Sequence, residues 1–259
     1  MIIIKIGGSV ITDKTKECTF KTETMDKLAE NIKKANKQII IVHGAGSFGH
    51  ILAKEYELNQ GYKRLEQIKG FSLTHEKVQA LNSLVLKSLQ KNDIHAVSIS
   101  PHSSITLNNH QIKKMNYKIF EEYLKKNFTP VTFGDVTLDK TLGFSICSGD
   151  LLVEVLSKYF KPEKVVFIID EDGIFTANPK IDKKALLIQE TSLKELETFT
   201  TSADNHADVT GGMAGKIQTI KKIVKNGIET ILVNGNKPDR LYKVLIGEKT
   251  ISTMVTGEK

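Results

Sequence analysis

Six apolar runs punctuate the chain: "IIIKI", "QIIIVH", "HAVSIS", "TPVTFGD", "KVVFIID" and "ETILVNG". Most are short, rich in β-branched residues and apolar at consecutive positions, the pattern of strands buried on both faces. Between them the apolar residues recur at helical spacing, over about 22–36, 72–92, 117–127, 150–159 and 212–226. Strand and helix in alternation predict an α/β fold, a three-layer αβα sandwich around a mainly parallel open sheet. The segment from Ile105 to Ile112, together with "VTLDKTLGFSI" after the fourth run, reads as hairpin material beside that sheet. A lobe boundary is expected after about Gly149, dividing the chain into 1–149 and 150–259.

In open α/β sheets, ligands bind beyond the carboxyl ends of the strands. Here those ends are rich in glycine. The first run is followed by Gly7, Gly8 and Ser9, the second by "GAGSFGH" (44–50), and the fourth by Gly134 and Asp135. "SGD" (148–150), "DEDG" (170–173) and "DVTGGMAGK" (208–216) come later. Two glycine turns at neighbouring strand ends suggest two phosphate-bearing ligands.

The second turn matches the dinucleotide pattern G-x-G-x-x-G at Gly44, Gly46 and Gly49, but it follows the second strand rather than the first. The acid at suitable spacing, Glu66, lies in "GYKRLEQIKG", too polar for a buried strand. A P-loop fails too, because Thr210 stands where its first glycine belongs and Ile217 where Ser or Thr should follow the lysine. What remains is a phosphate-handling site without a Walker lysine. Phosphoryl transfer needs mainly positioning and charge neutralisation, which lysines at strand ends and N–H groups at helix starts supply. Lys5, a charge inside an apolar strand, must either reach water or meet a partner.

Composition narrows the field. Lys and Arg number 37 against 30 Asp and Glu, a formal charge of +7, but only Arg64 and Arg240 are arginines, Trp is absent and the lysines are scattered. That describes a solvated lysine-rich surface and argues against a nucleic-acid partner. Cys18 and Cys147 have no metal-ligand or disulfide spacing, so free thiols in a reducing cytoplasm are expected. The opening "MIIIKIGGSV" is too short for a membrane span and lacks signal-peptide features, so it reads as a buried strand.

The motifs "KIGGSVITDK", "VHGAGSFGH", "SGD", "DEDGIF" and "DVTGGMAGK", in this order over nearly the whole chain, resemble the amino acid kinase superfamily. Within it, the His50 that closes the second glycine loop resembles the isopentenyl phosphate kinase branch. Ala45 departs from the pattern, where a third glycine is frequent. The resemblance implies ATP as donor, Mg2+ held mainly by the phosphates, isopentenyl phosphate as acceptor and a homodimer. It also implies that Lys5, Gly7, Gly8, Ser9 and Gly46 line the triphosphate, and that Lys14 and Lys216 stabilise the phosphoryl group in transfer. Asp150 would orient the lysines, and Asp170, Gly211 and Gly212 would face the nucleotide. Ala45, Gly49, His50 and Gly149 would hold the acceptor phosphate, with Phe71, Thr74, His75, Val131 and Ile146 around its five-carbon tail. Two alternatives stay open: a kinase of a phosphonate such as fosfomycin, and a nucleotide-binding regulator of the same fold without turnover.

Overall fold

The run Ile2–Ile6 forms β1, buried at all five positions because it lies between two parallel neighbours, β2 (Ile39–His43) and β9 (Lys164–Ile169). The computed structural model describes residues 1–196 and 212–257. Beyond β2 lie β6 (Thr129–Phe133) and the short β3 (Ala96–Ser98); beyond β9 lie β13 (Glu229–Asn234), β14 (Thr253–Thr256) and β12 (Glu190–Ser192). The order is β12-β14-β13-β9-β1-β2-β6-β3, parallel except where β13 meets β14. A two-stranded ribbon, β10 (Ile174–Phe175) with β11 (Leu187–Ile188), follows β9.

Successive strand residues point to opposite faces, so β1 sends Ile2, Ile4 and Ile6 one way and Ile3 and Lys5 the other. The first set joins one core with α2 (Thr22–Ala35), α4 (Glu66–Lys91) and α9 (Pro238–Ile246). Ile3 joins a second core with α6 (Tyr117–Lys125), α7 (Gly149–Phe160) and α8 (Gly212–Lys225). These are the expected three layers. No described helix is long and apolar enough to cross a membrane.

Four helices lie outside the stretches read from periodicity: α1 (Gly8–Ile11), α3 (Gly46–Glu55), α5 (Pro101–Ser104) and α9. The two that follow β1 and β2 open on glycines, which carry no periodicity. Helix α4 starts at Glu66 instead of near Ser72, and buried Gln67 explains the difference. Its amide oxygen accepts the N–H groups of Lys63 (2.7 Å) and Arg64 (3.1 Å), and its amide nitrogen donates to Tyr56 O (3.1 Å).

The anticipated hairpin material forms a separate sheet of β4 (Ile105–Asn108), β5 (Gln111–Met115), β7 (Asp135–Asp139) and β8 (Gly143–Cys147), in the order β5-β4-β7-β8. Buried Asp139 ties its turns together. The carboxylate accepts the N–H groups of Asn109, His110, Thr141 and Leu142 at 2.8–3.0 Å and the Ser145 hydroxyl at 3.1 Å. Burial opposes its ionisation, yet the converging N–H donors hold the carboxyl down at about 2.

Beyond β1 and β2 the two glycine turns touch backbone to backbone. A Cβ on Gly8 would lie 2.5 Å from Gly46 N, and one on Gly44 2.8 Å from Gly8 N. Gly46 itself has φ +51°, a left-handed conformation that favours glycine. Thr12 clamps the pair: its hydroxyl donates to Gly8 O (2.8 Å) and accepts the Ser47 N–H (3.0 Å). Gly8→Ala should therefore lower unfolding free energy by about 1–3 kcal/mol through overpacking. Gly215→Ala, whose added Cβ meets nothing among the described residues within 4 Å, should change it by less than about 1 kcal/mol, in the stabilising direction. Urea unfolding of both variants checks this; equal stability would mean that the two turns part freely.

Candidate active site

The charge inside β1 finds its partner across the sheet end. Lys5 Nζ lies 3.0 Å from Asp150 Oδ1, and Lys216 Nζ lies 3.9 Å from Asp150 Oδ2. Local sequence explains the placement. The Ser148 hydroxyl accepts the Leu151 N–H at 3.1 Å and so caps α7, which puts Asp150 in the first helical turn rather than at the cap. Gly149 lets that turn come close, since a Cβ there would meet His43 O at 3.3 Å and Lys5 Cε at 3.6 Å. Lys216 arrives from the first turns of α8.

Two ammonium groups thus share one carboxylate in a largely enclosed place. Burial works against ionisation of Asp150, but Lys5, Lys216 and, more weakly, His50 outweigh it and hold the carboxyl below its usual range. Lys216 is pushed the other way. Burial first, and then the like charge of Lys5, bring its ammonium down to about 8, although Asp150 opposes the shift. Lysines held this way are poised to take up phosphate charge, because an arriving polyanion supplies the negative charge that one aspartate cannot.

Glycine backbone surrounds the cluster. A Cβ on Gly134 would lie 3.2 Å from Gly149 N and 3.8 Å from Ala45 N, so the starts of α7 and α3 meet at the end of β6. Both present the positive end of a helix dipole to the same space. Gly7 and Ser9 flank Gly8 at the start of α1, and Gly46 opens α3. Ala45 is the residue before α3, with Gly49 buried against it, a Cβ there being 2.6 Å from that of Ala45. His50 lies exposed in the first turns of α3.

Lys14 stands apart from the Lys5 cluster. It is exposed and pairs with Asp170 at 3.1 Å, just beyond β9. Asp170 also acts through its charge on Lys216, so it connects the two lysine positions. Gly212 begins α8, whereas Gly211 lies outside the described residues.

The tail residues do not come together in one place. Phe71 and Ile146 share a small apolar cluster with Ala53, Leu58, Val136 and Phe144, the Phe71 and Phe144 rings 5.2 Å apart. Thr74 is buried one turn along α4, its hydroxyl without a hydrogen-bond partner among the described residues. Val131 is not with them. It is fully buried in the main core with Ile41, Leu81 and Val85, because strand alternation turns it toward α4's other contacts instead of the small cluster. His75 also turns away, placing Nδ1 2.9 Å from Asp135 Oδ2. Burial raises the Asp135 carboxyl to about 6 even though His75 and the Val136 N–H act to lower it.

Three contributors were not read from the sequence. Thr12 holds the glycine turns together, and a hydroxyl four residues after Gly8 was the only signal for it. His43, fully buried, stacks on Phe133 at 5.2 Å and lies 3.2 Å from Asn82 Oδ1, and burial lowers it to about 4, so the ring is neutral. Asp172 accepts from Asn234 Nδ2 (2.7 Å) and Arg240 Nη1 (2.6 Å), which fixes the loop after β9. Cys18 and Cys147 are free thiols, as expected.

Known proteins share this fold. Residues 1–234 match the Amino acid kinase family. The chain belongs to the amino acid kinase family. Among this family's members it is 37% identical to the isopentenyl phosphate kinase of Methanothermobacter thermautotrophicus over the full length of both chains. It is 34% identical to that of Methanocaldococcus jannaschii, covering 96% of each. An X-ray structure of isopentenyl phosphate kinase superposes with a TM-score of 0.87 at 34% identity, covering 99% of this chain and all of the other. Like these relatives, this amino acid kinase sets its helices on both faces of a mostly parallel sheet.

The shared carboxylate makes a measurable claim about this family member. Asp150→Asn removes the stronger of the two carboxylates, Asp150 and Asp170, whose charge favours a protonated Lys216, so the lysine should titrate below about 8 in the variant. Carbon-13 NMR of the lysine ε-carbons reads this directly. An unchanged or higher midpoint would mean that Asp150 and Lys216 are not coupled.

Proposed function

We propose that this chain transfers the γ-phosphoryl group of ATP to isopentenyl phosphate, forming isopentenyl diphosphate in the archaeal-type mevalonate route to isoprenoids. One observation carries the reading. A lysine–aspartate–lysine cluster lies where two glycine turns on neighbouring strands meet, and the second turn bears His50. One turn serves the donor triphosphate and the other the acceptor phosphate. Full-length likeness to two proteins named isopentenyl phosphate kinase supports the choice of acceptor.

In this reading Gly7, Gly8, Ser9 and Gly46 bring backbone against the triphosphate, with Asp170, Gly211 and Gly212 on the nucleotide side. Lys5 and Lys216 neutralise the oxygens of the group in transfer, and Lys14 closes in from its exposed pair with Asp170. Asp150 positions the two buried lysines. Ala45, Gly49 and Gly149 present N–H groups to the acceptor phosphate, and the His50 ring donates to it. An anionic acceptor oxygen attacks the γ-phosphorus in line, the bond to the bridging oxygen breaks, and ADP leaves. No general base is needed, since the acceptor is already ionised near neutral pH. Mg2+ fits best on the phosphates, because the carboxylates nearest the cluster, Asp150 and Asp170, are already paired with lysines. The reading includes a cytoplasmic homodimer, as the family resemblance implies.

His50→Ala should reduce kcat/KM for isopentenyl phosphate about tenfold or more, the cost of losing a donor to a charged group (about 1.5–3 kcal/mol), and His50→Gln should lose less. ATP consumption measured beside fosfomycin tests the acceptor class. Turnover with fosfomycin alone would replace isopentenyl phosphate by a phosphonate, and no turnover with either would leave a nucleotide-binding regulator.

The tail contact makes a second claim. If Phe71 and Phe144 close the floor of the tail pocket, Phe71→Ala should move selectivity toward geranyl phosphate by about 1–3 kcal/mol, the worth of a few methylenes. The ratio of kcat/KM values for the two acceptors, read beside a melting curve, checks it. A fall in Tm with an unchanged ratio would make the Phe71 cluster core and not pocket.

A further inference from the structure

Outside the lysine cluster, one group of side chains among the described residues has the composition of a metal site. His75 of α4, His102 of α5 and Asp135 at the start of β7 each offer one ligating atom, and these atoms all lie within 4.8 Å of one another. The two imidazole rings stand edge to face with centroids 4.1 Å apart. The geometry points to a binding site for a divalent ion of the zinc class, held by His75, His102 and Asp135, that pins α4 and α5 to the second sheet.

Distances and chemistry agree on this assignment. Zinc takes imidazole nitrogen and carboxylate oxygen at about 2.0–2.1 Å, which sets neighbouring ligand atoms of a tetrahedron about 3.3 Å apart. His75 Nδ1 and Asp135 Oδ2 are already 2.9 Å apart, so an ion could replace the shared proton with little movement. His102 is exposed on a four-residue helix and is free to close the remaining gap.

The surroundings orient the donors. His102 Nδ1 lies 2.7 Å from the Ser100 hydroxyl, and that hydroxyl accepts from Gln79 Nε2 at 2.7 Å. This leaves Nε2 of His102 for the ion, and such outer partners fix the tautomer of metal-binding histidines. The second Asp135 oxygen accepts the Val136 N–H at 2.8 Å, which locks the carboxylate plane. Two imidazoles with one carboxylate suit zinc, cobalt or nickel rather than Mg2+, which prefers oxygen donors alone.

Asp135 directly follows Gly134, whose Cα faces Gly149 N and Ala45 N, and His75 follows Thr74, which lies beside Gly49. The ion would therefore fix the elements immediately behind the acceptor-side glycines. Binding of the ion does not depend on the identity of the acceptor, so this inference stands or falls separately from the proposed reaction.

The test uses tag-free, full-length protein treated with chelator and then titrated with Zn2+ or Co2+. One equivalent should bind, Co2+ should develop visible ligand-field absorption, and Tm should rise with metal concentration. His102→Ala, an exposed change that leaves the metal-free melting curve in place, should weaken binding at least tenfold. Ser100→Ala should weaken it by about 10–100-fold through loss of the outer partner, and Asp135→Asn should abolish the cobalt spectrum. Absence of stoichiometric binding, or equal affinity in wild type and His102→Ala, would overturn the assignment.

Discussion

Everything at the sheet end depends on keeping Lys5 charged inside a parallel sheet. An ammonium between two hydrogen-bonded neighbours is unfavourable unless an anion meets it at close range. Asp150 does so at 3.0 Å, and that requirement propagates outward. The carboxylate reaches because α7 starts beside β1, the bare Gly149 eases that approach where a Cβ would press on His43 O at 3.3 Å, and the capping hydroxyl of Ser148 fixes the first turn. Lys216 then makes the cluster one negative charge short, which leaves the site electrostatically incomplete without phosphate.

The architecture was legible because strands buried on both faces cannot hide. A run such as "IIIKI" allows few other readings, and all six runs became strands of the main sheet. Glycine-rich segments were opaque for a physical reason: periodicity needs side chains, and α3 begins with residues chosen for their absence. The entry to α4 was concealed by Gln67, a polar residue whose burial is justified only by the backbone groups it satisfies.

At the site, residue types were legible and orientations were not. Lys5 and Gly8 could be picked out because charge in an apolar strand and glycine at strand ends have few other uses, whereas Gly149 and Asp150 took their roles from the family resemblance, since an aspartate at a helix start reads by itself as a cap. Val131 and Ile146 looked equivalent as apolar positions, but one faces the main core and the other the small cluster beside Phe71. Parity along a strand decides that, and parity is fixed only once the sheet partner is known. Thr12 and His43 escaped notice because each acts through a contact with a residue more than 30 positions away.

The carboxylate of Asp139 has a consequence for tolerance to acid. Its folded-state value near 2 lies below the ordinary 3.8, so the stability it contributes is complete above the ordinary value and is lost only as the pH falls toward 2. Unpaired surface carboxylates are already protonated before that point is reached. The turns of the second sheet are therefore tied by an anchor that outlasts mild acidification, and an acid-stressed molecule would keep those turns while its ordinary surface carboxylates lose their charge.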